Sequence, residues 1–211
     1  VSNAQKKVEE RNFAMRKHLL EYDDVLNQQR EIIYDLRNKA LLSDSIKDTI
    51  HEFIEDFIYD VIGDLDFKQS KEWDWQSINQ QLNSSLLINI DNNEIDSLNS
   101  LDELIDFINE KALKYYQLKE DVIPEELLRK VEKFIVLRTI DEKWRNHLLG
   151  MDQLREGIGL RAYGQKNPLI EYKSESYNFF QELMISLRST VIQRVFHAQV
   201  SDQAQPQQNP L

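Results

Sequence analysis

The sequence contains no cysteine among its 211 residues. This absence excludes disulfide bonds, thiolate zinc sites and cysteine nucleophiles, and it is compatible with a reducing cytoplasm. Only five glycines and four prolines are present, so helix breakers are rare, whereas a sheet protein would need more turn residues. No apolar run approaches the roughly 20 residues of a membrane-spanning helix, and the N-terminal segment does not resemble a signal peptide. The composition therefore predicts an all-α fold.

The negative charge of the chain lies mostly in its middle. The formal net charge is -11, but residues 46–110 carry 16 acidic against 3 basic side chains. A segment this acidic repels a phosphate backbone, which argues against nucleic-acid binding by the whole chain. A solvated acidic surface is the favoured interpretation, ahead of a specific cation or partner site.

A stripe of apolar side chains with one polar interruption runs along the first forty residues. Its spacing alternates between four and three, which predicts one long helix. Further apolar residues lie off the stripe, so we expect a scaffold helix with several neighbours rather than an isolated coiled coil. The stripe consists of Met15, Leu19, Tyr22, Leu26, Gln29, Ile33, Leu36 and Ala40. The apolar residues off the stripe are Phe13, Leu20, Val25 and Ile32.

The middle of the chain predicts a small acidic helical subdomain. Ser and Asp residues are cap candidates for its first helix, which we expect to end at Gly63. Ser100 and Glu103 form a possible capping box. The connector 84–100 is rich in Ser, Asn and Asp and could hold a short extended piece. The predicted helices cover residues 43–63, 73–83 and 100–120.

Two long amphipathic patterns joined by a glycine-rich link predict an antiparallel helical hairpin. Gly157 and Gly159 are expected to end its first helix, and Gly164 and Pro168 to start its second. The tail 201–211 has no apolar periodicity and is predicted to be disordered. The apolar face of the first helix is predicted to be Leu127, Val131, Phe134, Leu137, Ile140, Trp144, Leu148, Met151 and Ile158, and that of the second Tyr172, Phe179, Leu183, Leu187, Val191 and Val195.

Signals for catalysis, cofactors and metals are weak. No GxxxxGK[ST] phosphate loop occurs, and the four histidines are far apart, with only Asp48 and His51 at a ligand-like spacing. Asp23 and Asp24 are helix neighbours that point about 100° apart, which suits an acid–base pair poorly. For these two carboxylates, a solvated face and a salt bridge to a partner are equally open.

Two aromatic residues near the hairpin differ in their expected roles. Trp144 has helical spacing with Leu148 and is predicted to be core, with Lys143, Arg145 and Arg155 facing outward. Tyr163 lies between turn glycines, where its own hairpin can hardly bury it. The alternative is that its ring folds back over the apolar residues of the hairpin.

Four segments carry a resemblance to a known family. "NAQKKVEERNF", "RKHLLEYDDVLNQQREIIYDLRN", "LRTIDEKWRNHLLGMDQLREGIGLRAYGQKNPLIEYK" and the "ES" and "FF" that follow resemble the C-terminal part of the SecA preprotein translocase ATPase. They stand in the family's order and extend over nearly residues 3 to 200. The acidic middle departs most from the family.

The resemblance implies four parts of the chain. Residues 1–45 are similar to the long helix of the helical scaffold domain, and residues 46–120 to the helical wing domain. Residues 121–200 resemble the scaffold's two-helix finger, and residues 201–211 are the expected disordered tail. In the family, this finger enters the cytoplasmic side of the SecY channel and contacts the translocating polypeptide.

The resemblance also implies roles for particular residues. Those expected to contact preprotein and channel are Tyr163, Arg161, Gln165 and Lys166. Those expected to contact the motor and polypeptide-crosslinking domains are Arg16, Tyr22, Asp23 and Asp24. Those on the finger helix expected to restrain the ATPase are Trp144 and Arg145.

The resemblance implies location and partners for a longer protein. The motor domains, with their ATP and Mg, are absent, so we expect no catalytic, cofactor or metal site and no ATPase activity in this chain alone. The sequence starts with Val, from which we expect a fragment or a processed chain. The Cys-rich zinc tail that many members carry is missing, either because it was lost in this lineage or because the chain ends before it. Asn167 stands where an acidic residue is common. The implied location is cytoplasmic, peripheral at the bacterial plasma membrane, with self-association possible.

An alternative function class is a stand-alone helical adaptor for protein–protein interaction, which has no motor. The two classes differ in the reading frame upstream of Val1. A frame that continues into a GxxxxGK[ST] segment favours the motor, and a start near Val1 favours the adaptor.

Overall fold

A computed structural model describes residues 2–63, 65, 73–95, 98–161 and 167–199. The described chain is helical and contains no strand, which confirms the all-α prediction. None of the described helices is long and apolar enough to cross a membrane. The predicted disordered tail, 201–211, lies outside the described residues. The helices are α1 (Ser2–Leu42), α2 (Lys47–Ile62), α3 (Trp75–Leu86), α4 (Asn92–Ile95), α5 (Leu101–Val122), α6 (Glu125–Arg161) and α7 (Pro168–His197).

The chain divides into two compact units. The first unit consists of Val1–Leu42 and Leu137–Leu187, and the second of Ser43–Val136 and Arg188–Leu211. The domain boundaries expected from the family resemblance stay predictions.

The first unit packs the C-terminal part of α1 against α6 and α7. The heptad stripe is buried or half-buried from Tyr22 onward, with Ile33 and Ala40 almost fully enclosed. Leu19, earlier on the stripe, is exposed, as is the off-stripe Ile32. The stripe therefore predicts the packed face correctly over its second half, where α6 and α7 supply a partner surface.

Helix α6 does not end at Gly157 and Gly159, so that prediction is wrong. The helix continues to Arg161. No described glycine has a positive φ, so Gly157 does not act as a helix-terminating cap. Leu154 and Ile158 are buried on either side of it, together with Tyr172. Burial of such side chains is worth more than the roughly 1 kcal/mol that a glycine costs a helix interior.

The buried faces of α6 and α7 also differ locally from the predicted faces. At the start of α6, Leu127 and Phe134 are exposed. His147 is buried where the sequence favours Leu148, and Phe180 is buried more deeply than Phe179. The residues buried near the start of α6 are Leu128, Arg129, Glu132 and Val136.

The second unit has a core of isoleucine, leucine and phenylalanine side chains. Helix α2 buries nearly all its predicted apolar face and ends at Gly63 as predicted, but Ile46 precedes it without a side-chain cap. Ser100 caps α5 by accepting a hydrogen bond from the backbone N–H of Glu103 at 3.1 Å. The connector forms the short helix α4 instead of an extended piece. Capping and apolar spacing are therefore reliable guides in α2 and α5, except at the start of α2.

A buried ionic cluster links α5 to α6 in the second unit. The Tyr116 hydroxyl donates to Glu132 at 2.6 Å, and the Arg129 guanidinium donates to Glu132 at 2.5 Å. Arg129 also pairs with Glu120, which accepts from Lys47 at 2.7 Å. Burial raises the pKa of Glu132, while Tyr116 and Arg129 favour its ionised form. Loss of the Arg129 charge would leave the carboxylate of Glu132 buried without a cationic partner, which is strongly destabilising.

A lysine caps the C-terminus of α7. The Lys119 ammonium donates to the carbonyl oxygens of Val195, Phe196 and Ala198 at 2.5, 2.8 and 3.0 Å. The last carbonyls of a helix have no partner within the helix, and a cation is favourable there. The end of α7 is thereby fixed to α5.

We expect Gly157→Ala to stabilise the chain by about 0.5–1 kcal/mol, because alanine is the better helix former. A Cβ atom added at Gly157 meets no heavy atom within 4 Å. Urea unfolding measures the change. Gly150→Ala is the matched control, since its Cβ would lie 2.8 Å from the Phe179 ring and should give a smaller gain or a loss. Destabilisation by Gly157→Ala would contradict the continuous helix.

Candidate functional site

The predicted hairpin tip lies almost wholly outside the described residues. Tyr163, Gln165 and Lys166 fall in the gap between α6 and α7, and Arg161 is the last residue of α6. Asn167 precedes α7, and its side-chain oxygen accepts from the N–H of Leu169 at 3.0 Å. The structure therefore describes α6 up to Arg161 and α7 from Pro168 onward, on either side of the tip.

Two of the predicted motor contacts are engaged inside the first unit. The rings of Tyr22 and Tyr172 lie 4.7 Å apart at 46°, in a tilted arrangement. Asp23 accepts from Arg155 at 3.1 Å, and the Arg155 guanidinium lies 5.8 Å from the Tyr22 ring centre. Burial raises the pKa of Tyr172. This aromatic and ionic cluster joins α1 to both helices of the hairpin.

The other two predicted motor contacts remain on the surface. The side chains of Arg16 and Asp24 are exposed. Asp24 lines a groove of about 440 Å³ whose walls come from α1 and α7. Val25, Tyr177 and Phe180 supply much of its apolar surface. The salt bridge of Asp23 is thus made within the chain, whereas Asp24 has the solvated position.

A buried hydrogen-bonded pair occupies the centre of the first unit. The Gln29 side-chain nitrogen donates to the backbone oxygen of Ser176 at 3.0 Å. The Gln29 side-chain oxygen lies 2.8 Å from Nε2 of His147. A carbonyl can only accept, so the amide nitrogen must face Ser176 and the amide oxygen must face His147. His147 therefore donates from Nε2, and one glutamine connects α1 to α6 and α7.

The environment of His147 is aromatic and buried. Its ring stacks on Trp144 with centroids 5.4 Å apart, and it meets the edge of Phe180 at 5.9 Å. His147 is 5% exposed and Gln29 6%, so both side chains are almost wholly buried. Burial lowers the pKa of His147 to about 4. The imidazole is neutral at pH 7 and acts as a structural hydrogen-bond donor.

The chain matches one protein family along almost its whole length. The sequence profile described as the SecA Wing and Scaffold domain matches residues 1–199. This chain belongs to that family.

The relatives are much longer proteins. One from Syntrophomonas wolfei, named protein translocase subunit SecA, is 41% identical over 206 residues, which cover 96% of this chain and 25% of the relative. Relatives of the same name from Thermodesulfovibrio yellowstonii and Heliobacterium modesticaldum are 42% and 40% identical. These two alignments cover 97% and 95% of this chain, but only 23% and 24% of the respective relatives. The chain thus spans about a quarter of the length of these SecA relatives.

The two residues of α6 predicted to restrain the ATPase differ in burial. Trp144 is buried beside His147, which confirms its assignment to the core, and Arg145 is exposed. Lys143, expected to face outward, instead donates to Ser186 at 2.7 Å and ties α6 to α7. Within the described part of this SecA family chain, no three His, Asp or Glu side chains gather as a metal site.

Sequence reasoning missed the partnership of Gln29, His147 and Ser176. Gln29 stands out only as the polar interruption of a heptad stripe. His147 fits the spacing of Ile140, Trp144 and Met151, which places it on the buried face of α6. Gln29 and His147 each interrupt the apolar face of a helix. Two such interruptions are the sequence signal from which their pairing could have been predicted, because buried polar groups need hydrogen-bond partners. Ser176 contributes only a backbone oxygen, so its residue type carries no signal.

We expect the chain to lose stability below neutral pH because of His147. Its pKa is about 4 in the fold against about 6.5 in an unfolded chain, so between these values the unfolded state binds the additional proton. The free energy of unfolding should then fall by about 2 kcal/mol between pH 7.5 and pH 5 from this group. Urea unfolding at both pH values measures it. His147→Gln is the control, because it retains all other titrating groups, and an equal pH slope in both proteins would contradict the assignment.

Proposed function

We propose that this chain is the wing and scaffold part of a SecA-type protein translocase, which couples ATP hydrolysis to protein export through a SecY-type channel. Its role is to transmit movement from motor domains elsewhere in the polypeptide to the hairpin tip. Support comes from membership of the family and from relatives named protein translocase subunit SecA. The implied place of action is the cytoplasmic face of the bacterial plasma membrane.

The observation that carries this proposal is the attachment of α1 to both hairpin helices within the first unit. Arg37 pairs with Asp141 at 2.9 Å at one end of the α1–α6 contact, and Asp23 pairs with Arg155 at the other. Residues 141 and 155 are about 21 Å apart along a helix axis. Contacts spread over this length resist tilting of α1 against α6. A movement imposed on α1 would therefore be passed to the hairpin.

The tip residues suit contact with an unfolded polypeptide. Tyr163 offers a large amphipathic ring that requires no particular sequence in its partner. Close to it in the sequence, Arg161 and Lys166 add positive charge and Gln165 adds hydrogen-bonding groups. We assign preprotein and channel contact to these four residues.

The surface of α1 offers contacts to the motor and polypeptide-crosslinking domains. Arg16 and Asp24 are exposed and free to face another domain, whereas Tyr22 and Asp23 already bind within the unit. We therefore give Arg16 and Asp24 the direct contacts and Tyr22 and Asp23 the supporting role. Arg145 is the exposed candidate for ATPase restraint, and Trp144 would act only through the packing of α6.

We expect Tyr163→Ala, in the complete translocase polypeptide, to lower preprotein transport about tenfold, the factor that corresponds to about 1.4 kcal/mol of lost contact. ATP turnover should persist, because the substitution leaves the nucleotide site intact. Transport into vesicles that contain the channel, measured beside ATP hydrolysis, checks this. Tyr163→Phe retains the ring and should stay close to wild type. Normal transport by Tyr163→Ala with normal ATP turnover would refute the tip contact.

A further inference from the structure

The apolar contact of α1 with the hairpin is repetitive and does not by itself define one register. Leu26, Ile33 and Ala40 recur at intervals of seven residues. A slide of α1 by one heptad, about 10 Å, would again bring apolar side chains onto the same surface. The exposed ion pairs at the two ends discriminate weakly, because the side chains of Arg37 and Asp141 are 36% and 50% exposed.

The buried polar pair is satisfied in one register only. Gln29 donates to the backbone oxygen of Ser176 and accepts from Nε2 of His147. Both hydrogen bonds form only when α1, α6 and α7 have their observed axial positions relative to one another. In any slid arrangement, the Gln29 amide would face apolar side chains, and the His147 N–H would be buried without an acceptor. Such unmade bonds are costly for buried polar groups.

We propose that Gln29 and His147, with the carbonyl of Ser176, form a register lock that selects one axial position of α1 on the hairpin. The pair supplies specificity more than stability. An apolar pair could fill the same volume at similar stability, but it would accept more than one register.

This inference is independent of the proposed function. It concerns only contacts inside the first unit and is tested without transport or ATP. Failure of the lock would leave the tip contact of Tyr163 untouched, and failure of that contact would leave the lock untouched.

The lock is tested by spin labels on the full chain, whose lack of cysteine allows two labels to be placed without background. Asn38 on α1 and Gln153 on α6 are exposed and are suitable cysteine sites. Because Arg37 pairs with Asp141 and α1 runs antiparallel to α6, the two labels are separated by about 20 Å along the axis. A slide of one heptad changes the axial offset between the labels by about 10 Å. Electron paramagnetic resonance reports the distance distribution.

Three variants separate specificity from stability. Gln29→Leu leaves the His147 N–H unpaired and should raise the unfolding equilibrium constant about 10- to 100-fold. The double variant Gln29→Leu with His147→Phe removes both polar groups. Its unfolding equilibrium constant should return to within about fivefold of wild type. Its distance distribution should show a second distance, because the apolar pair accepts a second register. His147→Gln keeps a side-chain N–H donor and should retain the single distance.

Each contrary outcome is decisive. A single, unshifted distance in the double variant would overturn the lock, since register would then be set without the polar pair. A double variant that does not fold while Gln29→Leu does would also overturn it, because the pair would then be required for stability. A second distance in the His147→Gln variant would show that a retained donor is not enough and would reject the proposed bond.

Discussion

The side-chain amide of Gln29 forms hydrogen bonds from α1 to both helices of the hairpin, within their buried contact. The remaining contacts of the first unit are arranged around this position. Met151, Leu154 and Ile158 pack with Tyr22 and Tyr172 on one side of it, and Arg37 pairs with Asp141 on the other. Burying an amide and an imidazole is costly unless their hydrogen bonds are made. Their presence therefore ties the apolar packing to one arrangement.

The second unit uses polar groups in a different way. Its charged cluster of Arg129, Glu132 and Tyr116 is buried between α5 and α6, and Lys119 binds the final carbonyls of α7. These groups satisfy one another and the backbone carbonyls that the end of a helix leaves open. The first unit buries one neutral hydrogen-bonded pair, whereas the second buries a cluster of ions.

Much of the fold follows from spacing in the sequence. The all-α class, the apolar face of α2, the Ser100 cap and the start of α7 at Pro168 are local properties, and the structure agrees with them. The continuation of α6 through Gly157 is not local, because it depends on the burial of Leu154 and Ile158 against another helix. Propensity alone would end the helix there.

The site was less predictable than the fold for a physical reason. Asp23 carries a salt bridge to Arg155, whereas Asp24 is exposed beside a groove, a difference that depends on where Arg155 lies in the packed unit. Likewise, His147 and Gln29 are 118 positions apart, and only their helix faces suggest a meeting. The family resemblance supplies the roles of the tip residues, whose structure lies outside the described ranges.

The central claim is that α1 and the hairpin of the first unit behave as one cooperative body. Hydrogen exchange of backbone amides tests it most directly, because amides of one cooperative unit open together with similar free energies. The account predicts similar, strong protection for the amides of α1 around Ile33 and those of α6 around His147. Exchange about a hundredfold faster in that part of α1 than in α6 would contradict it.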